Sequence, residues 1–178
     1  MSEDVWLFGY GSIMWKTGFD FEEARLAHIH GWSRRFWQGS GDHRGTPAAP
    51  GRVVTLIESP GEICLGMAYR LHGLKVTAIL EELDYREKNG YERVDLAIGF
   101  ADGSQVRGIT YHATPDNPHF LGDAPVHEIA RQILTSVGPS GTNKEYILRL
   151  KDALDAHGIT DPHIDELVTA ILQMEADL

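Results

Sequence analysis

The spacing of apolar residues changes character along this chain, and the order of those changes limits the fold more than any single motif. Val5-Trp6-Leu7-Phe8 is a short apolar run that stops at Gly9-Tyr10-Gly11-Ser12, the pattern of a buried strand entering a tight loop. Residues 26–38 mix aromatic and polar types and predict a second strand, and the Gly- and Pro-rich residues 39–51 predict a loop. Residues 52–58 and 64–71 predict two strands paired across Ser59-Pro60-Gly61-Glu62. The period then becomes helical: Val76, Ile79, Leu80 and Leu83 share a face, and Asn89-Gly90 supplies the stop. Strand spacing returns over 91–100 and 105–113, joined as a hairpin by Ala101-Asp102-Gly103-Ser104. Beyond that the chain is helical. Val126, Ile129, Ile133 and Val137 form one stripe closed by Gly138-Pro139. Thr142 and Glu145 have capping-box spacing for a helix running to about residue 157. Asp161-Pro162 opens a last helix with Ile164, Leu167, Val168 and Ile171 inward. Strands with one inserted helix, then helices alone, predict an α+β fold. The expected organisation is one domain over 1–178, with 161–178 as a helical extension.

Charge narrows the partners. With 16 Lys+Arg against 26 Asp+Glu, the chain lacks the concentrated positive charge that a phosphate backbone demands, so nucleic acid is not an expected partner. A small acidic substrate is compatible, because a local pocket can be positive on an acidic protein. No apolar stretch approaches a membrane span, and Met1-Ser2-Glu3-Asp4-Val5 has no apolar leader, so the expected location is the cytoplasm. A lone cysteine, Cys64, rules out an internal disulfide and reads as a core thiol within Ile63-Cys64-Leu65-Gly66-Met67. The histidines form no metal-ligand pattern beyond an isolated His28-x-His30, so no metal is expected. No obligate protein partner is inferred.

Three features bear on chemistry. Gly9-x-Gly11 after a strand opens like a dinucleotide fingerprint, but Met14 stands where the third glycine belongs, and no Gly-Lys-Ser/Thr follows. Two readings of Gly9, Tyr10, Gly11, Ser12 and Ile13 remain: a backbone cradle for an anion, or a plain turn. Glu87 lies eleven residues beyond Val76, which at about 100° per residue returns it to within about 20° of the apolar face. An inward carboxylate there suits a general base; a Glu87 beyond the helix end would instead pair on the surface with Arg86 or Lys88. Tyr146, in the first turns of the capped helix, is either a core tyrosine or a substrate-binding hydroxyl. Arg34, Arg35, Arg44 and Arg52 stay open between scaffold and pocket. There is no Gly-x-Ser-x-Gly elbow.

Taken together, the motifs resemble the ChaC family of γ-glutamylcyclotransferases, which act on glutathione. The matching stretches begin with Trp6-Leu7-Phe8-Gly9-Tyr10-Gly11-Ser12-Ile13-Met14-Trp15-Lys16 and Ser33-Arg34-Arg35-Phe36-Trp37-Gln38-Gly39-Ser40. Asp42-His43-Arg44-Gly45, Pro50-Gly51-Arg52-Val53-Val54-Thr55-Leu56 and Gly66-Met67-Ala68-Tyr69-Arg70-Leu71 follow. Leu83-Asp84-Tyr85-Arg86-Glu87-Lys88-Asn89-Gly90-Tyr91, Asp116-Asn117-Pro118, Gly138-Pro139-Ser140-Gly141 and Asn143-Lys144-Glu145-Tyr146 complete a colinear set over about residues 5 to 155. The resemblance implies a γ-glutamylcyclotransferase-like fold, a small mixed β-barrel with flanking helices. It implies that Tyr10-Gly11-Ser12-Ile13, with isoleucine in place of the usual leucine, binds the γ-glutamyl group through its backbone. It places the catalytic glutamate at Glu87 and a substrate-contacting tyrosine at Tyr146. Glutathione would be converted to 5-oxoproline and cysteinylglycine without metal or organic cofactor. The alternatives are a non-catalytic γ-glutamyl-binding protein, including a regulator of cation transport, or a cyclotransferase for other γ-glutamyl peptides or amines.

Overall fold

In the computed structural model, which describes residues 2–178, five strands of the described residues close into a barrel. They are β1 (Val5–Gly9), β2 (Glu23–Ser40), β3 (Gly51–Leu71), β4 (Tyr91–Phe100) and β5 (Gln105–Ala113), in the spatial order β1-β3-β2-β4-β5. Helix α1 (Val76–Arg86) joins β3 to β4. β1 lies antiparallel to β3, from Val5↔Leu71 to Gly9↔Met67, and parallel to β5 through Trp6↔Gly108 and Leu7↔Ile109. That parallel pair completes the closure and leaves β1 no open edge. The α+β expectation holds. By contact the chain forms two units: one comprises the residues up to Ser33 with Leu56–Asn117, the other Arg34–Thr55 with Pro118–Leu178.

The barrel unit has an apolar core drawn from all five strands. Leu7, Phe8, Ala27, Ile29, Leu56, Ala68, Leu71, Ile98 and Phe100 are all buried. Each large one contributes roughly 1.5–3 kcal/mol by leaving water. One sequence expectation fails here. Residues 52–58 and 64–71 are not two strands paired across a turn at 59–62; β3 runs unbroken from Gly51 to Leu71, hydrogen-bonded to β2 beside it. Pro60 and Gly61 are exposed, and Gly61 takes φ 88°, as Gly31 does within β2 at φ 84°. Glycines in the left-handed region within two adjacent strands mark a bulged bend, which uses the same residues as a turn without reversing the chain. The true reversal between these strands is the loop at 41–50.

The second unit carries the end of β2 from Arg34, the start of β3 to Thr55 and all the remaining helices. α2 (Val126–Thr135), the short strands β6 (Val137–Gly138) and β7 (Gly141–Thr142), α3 (Asn143–Ala156) and α4 (Pro162–Ala176) follow in order. Ile129, Ala130 and Ile133 of α2 are buried with Ile147, Leu150 and Leu154 of α3 and Ile164, Leu167 and Ile171 of α4. The expected stripe was too long. α2 ends at Thr135, and Val137 leaves the helix to pair with Thr142, 58% exposed. Val126 is exposed too. Half of the expected capping box forms: Thr142 Oγ1 accepts from the Glu145 N–H at 3.1 Å, while the Glu145 carboxylate turns to Arg44 and Arg149. The last helix opens at Asp161-Pro162 as expected, with Asp161 accepting from the N–H groups of His163 and Ile164. The arginines left open between scaffold and pocket have scaffold partners in this unit. Arg34 is buried and donates to Asp161 at 2.7 Å. Arg35 donates to the Arg34 carbonyl, and Arg44 to Glu145 at 2.8 Å and to the Thr142 carbonyl. Arg52 reaches Gln132 and the carbonyls of Phe36 and Gly122, while its own backbone is held at both ends by the Asn143 side chain.

Candidate active site

β1 delivers its last residue, Gly9, to a turn in which Ser12–Met14 form one loop of 3-10 helix. Its first closing bond runs from the Met14 N–H to the Gly11 carbonyl at 2.9 Å. N–H groups at the start of a helical turn have no partner inside it, which applies here to those of Ser12 and Ile13. The glycine at position 9 answers to packing: a Cβ there would stand 2.9 Å from Ile13 Cγ2 and 3.2 Å from the Tyr69 ring. Opposite it, a side chain on Gly66 would collide with the Gly9 carbonyl. The turn is therefore pressed onto the barrel as a rigid feature.

Side-chain bonds fix it further. Tyr10, 6% exposed, donates its hydroxyl to the Tyr111 carbonyl at 2.6 Å. Buried Tyr69 donates to the Ile13 carbonyl at 3.3 Å, and burial pushes its own pKa up to about 12. The end of α1 supplies the rest. Arg86 donates from Nη2 to Ser12 Oγ at 2.9 Å, and from Nη1 to the carbonyls of Lys16 and Thr17. The Tyr111 hydroxyl donates to Asp84 Oδ1 at 2.6 Å. Burial first, then the Asp84 hydrogen bond and charge, and the Glu87 charge in smaller part, hold the Tyr111 phenol well above its ordinary pKa, with Arg93 opposing.

Glu87 is the residue that caps α1, one position past its last turn, and its N–H still bonds the Leu83 carbonyl at 2.9 Å. Its side chain is only 17% exposed, and Oε1 lies 3.9 Å from Arg86 Nε. The two sequence readings are thus partly combined: the carboxylate is largely withdrawn from water, and it faces Arg86. Gly9, Tyr10, Gly11, Ser12, Ile13 and Glu87 all belong to the barrel unit. Tyr146 belongs to the helical unit. There it is 7% exposed, its hydroxyl accepts from the Val54 N–H at 3.4 Å, and its ring meets Phe36 edge-on at 5.7 Å.

Tyr69, Asp84 and Arg86 stand in the sequence reading within the family stretches, Arg86 also as a surface partner for Glu87, but none is given a role there, and neither is Tyr111. Arg86 has a local signal, being one step from Glu87. The bonds of the two tyrosines have none, because their partners are far away in the chain. Among the described residues no group of three or more His, Cys, Asp or Glu is placed to hold a metal ion, and no helix is long and apolar enough to cross a membrane. Chemically, the arrangement joins a shielded carboxylate, an adjacent cation and the turn that this cation holds through Ser12.

The family model for ChaC-like proteins matches residues 5–174, which carries the likeness past residue 155 and into α4. Among curated proteins, the chain is 42% identical over 177 residues to gamma-glutamylcyclotransferase 2-3 of Arabidopsis thaliana, covering 94% of this chain and 88% of that one. It is 40% identical over 173 residues to glutathione-specific gamma-glutamylcyclotransferase 1 of Homo sapiens, covering 94% of this chain and 78% of the relative. Among solved structures, the selenomethionine-labelled glutathione-specific γ-glutamyl cyclotransferase from yeast superposes with a TM-score of 0.90 at 29% identity, covering 97% of each chain.

Proposed function

This chain belongs to the family of ChaC-like proteins, and from that premise we propose that it is a γ-glutamylcyclotransferase that cleaves glutathione. The observation that carries the reading is Glu87, a carboxylate largely out of water, beside an arginine that also holds the Ser12 turn. In the proposed reaction the substrate's α-amine attacks its own γ-carbonyl carbon. A five-membered lactam forms, the γ-amide C–N bond breaks, and 5-oxoproline and cysteinylglycine separate. No water is consumed and no electrons change hands, so the step balances without metal or organic cofactor.

Free α-amines are mostly protonated near neutrality, with a pKa of about 8, so a base must take that proton before attack. Glu87 is assigned this task, and it returns a proton to the departing nitrogen. The turn at Gly9, Tyr10, Gly11, Ser12 and Ile13 is assigned the γ-glutamyl group, holding it curled, since ring closure depends on orientation as much as on activation. N–H groups of Ser12 and Ile13 suit the oxyanion that develops on the γ-carbonyl. The cytoplasm is the proposed compartment, in keeping with a lone buried thiol at Cys64.

Incubation of the purified protein with glutathione, without added metal, is expected to release 5-oxoproline; no release at high enzyme concentration overturns the reading. Running γ-glutamyl-alanine in parallel separates glutathione preference from general γ-glutamyl chemistry. Glu87→Gln is expected to bind substrate while turnover collapses by about 100-fold or more. Full activity in that variant removes Glu87 as the base.

A further inference from the structure

Arg86 makes three side-chain hydrogen bonds and an ion pair within the barrel unit, and the proposed mechanism gives it no task. Its Nη2 meets Ser12 Oγ at 2.9 Å, and its Nη1 meets the Lys16 carbonyl at 3.0 Å and the Thr17 carbonyl at 3.1 Å. The remaining edge, Nε, lies 3.9 Å from Glu87 Oε1. One planar guanidinium thus grips both ends of the segment from Ser12 to Thr17 and faces the carboxylate at the same time. A lysine would bring the charge without the fork. An exposed ion pair at this distance would count for little. Here the Glu87 side chain is 17% exposed, so solvent screens the cation less than it would on an open surface.

We propose that Arg86 is a positioning residue that locks the Ser12 turn and the Glu87 carboxylate into one fixed relation, serving substrate hold through the turn and ionisation of the base through its charge. This rests on the cyclotransferase reading above. Around the carboxylate stand Arg86 on α1 and Tyr111 on β5, whose hydroxyl is given to Asp84, with Arg93 of β4 3.9 Å from that aspartate. Removing Arg86 takes away the adjacent positive charge and leaves Asp84 nearby as a like charge, so the proton affinity of Glu87 rises.

The test is steady-state kinetics with glutathione on the wild type, Arg86→Lys, Arg86→Gln, Ser12→Ala and the Ser12→Ala/Arg86→Lys double variant, each with its melting curve recorded. Arg86→Lys is expected to raise KM about tenfold while the acidic limb of the kcat/KM profile stays in place. Arg86→Gln is expected to raise KM similarly and to move that limb about one pH unit alkaline. The double variant is expected to be no worse than Arg86→Lys, because the Ser12 contact is already lost. A wild-type KM in Arg86→Lys, an unmoved limb in Arg86→Gln, or fully additive losses in the double variant each overturn the proposal. A general loss of packing would produce none of this split between charge and fork. Should the Arg86 variants fail to fold, Ser12→Ala alone decides: KM is expected to rise about threefold, and an unchanged KM overturns the proposal. Failure of the underlying reading looks different, as a wild type that releases no 5-oxoproline or a Glu87→Gln that keeps its turnover. Either removes the reading and this inference together.

Discussion

His163 shows how much one side chain's surroundings decide. Its Nε2 accepts the Phe36 N–H at 3.0 Å, which requires the neutral ring. Burial first, then Arg35 and Arg34, lower its pKa from 6.5 to about 4, against the opposing charges of Asp161 and Asp123. Because the folded value lies below the unfolded one, the unfolded chain binds the extra proton first as pH falls. The stability conferred by the neutral ring is therefore complete above about pH 6.5, declines towards pH 4 and changes little below. At about 1.4 kcal/mol for each pH unit in that window, the loss reaches about 3 kcal/mol. Urea midpoints of wild type and His163→Gln are expected to diverge across this window, with the variant's pH dependence flatter. Parallel curves would show that the histidine does not carry this slope. Nothing in the local sequence announced His163, since its partner sits 127 positions away.

Among the elements, helices were more legible than strands. The spacing of Thr142 and Glu145 specified the start of α3 because a capping box is local chemistry: one hydroxyl, one N–H, three residues apart. Thr142→Ala is expected to cost about 1 kcal/mol, read as a lower urea midpoint with unchanged slope. α1 was equally readable through Leu83, and its period carried Glu87 to a sheltered position even though the helix stops one residue earlier. β3 was misread for a physical reason. Ser59-Pro60-Gly61 has the composition of a turn, but a positive-φ glycine serves a bulge as well as a hairpin, and only pairing with β2 distinguishes them. Val137 was misassigned because a helical stripe counts apolar residues without detecting where the backbone leaves the helix.

At the scale of the whole molecule, the family motifs made the barrel and its helices legible, together with the turn and Glu87 as candidates. The clamps on that turn were not legible. Tyr10 and Tyr111 are 101 positions apart, and Ser12 and Arg86 are 74 apart, so no window along the chain contains either pair. Within its unit the last helix buries Ile164, Leu167 and Ile171, and α4 packs on α2 and α3. A chain ending at residue 160 would expose the apolar faces of those two helices. It is expected to lose cooperative unfolding of the helical unit, seen as a broadened calorimetric transition or aggregation. A truncated chain that melts as sharply as the full one would make 161–178 dispensable.

The parallel seam between β1 and β5 also has a consequence for the order of events during synthesis. Trp6 and Leu7 pair with Gly108 and Ile109, and Thr110 Oγ1 donates to the Phe8 carbonyl at 2.7 Å. β1 must therefore wait until about a hundred further residues have been made before its final neighbour exists. Contacts of such long sequence separation form late and slowly. A nascent chain stalled before residue 105 would have β3 available to pair with Val5–Phe8 but would leave the other edge of that apolar strand open. The turn that follows this strand, made before the rest of the barrel, would be among the last parts of it to take shape.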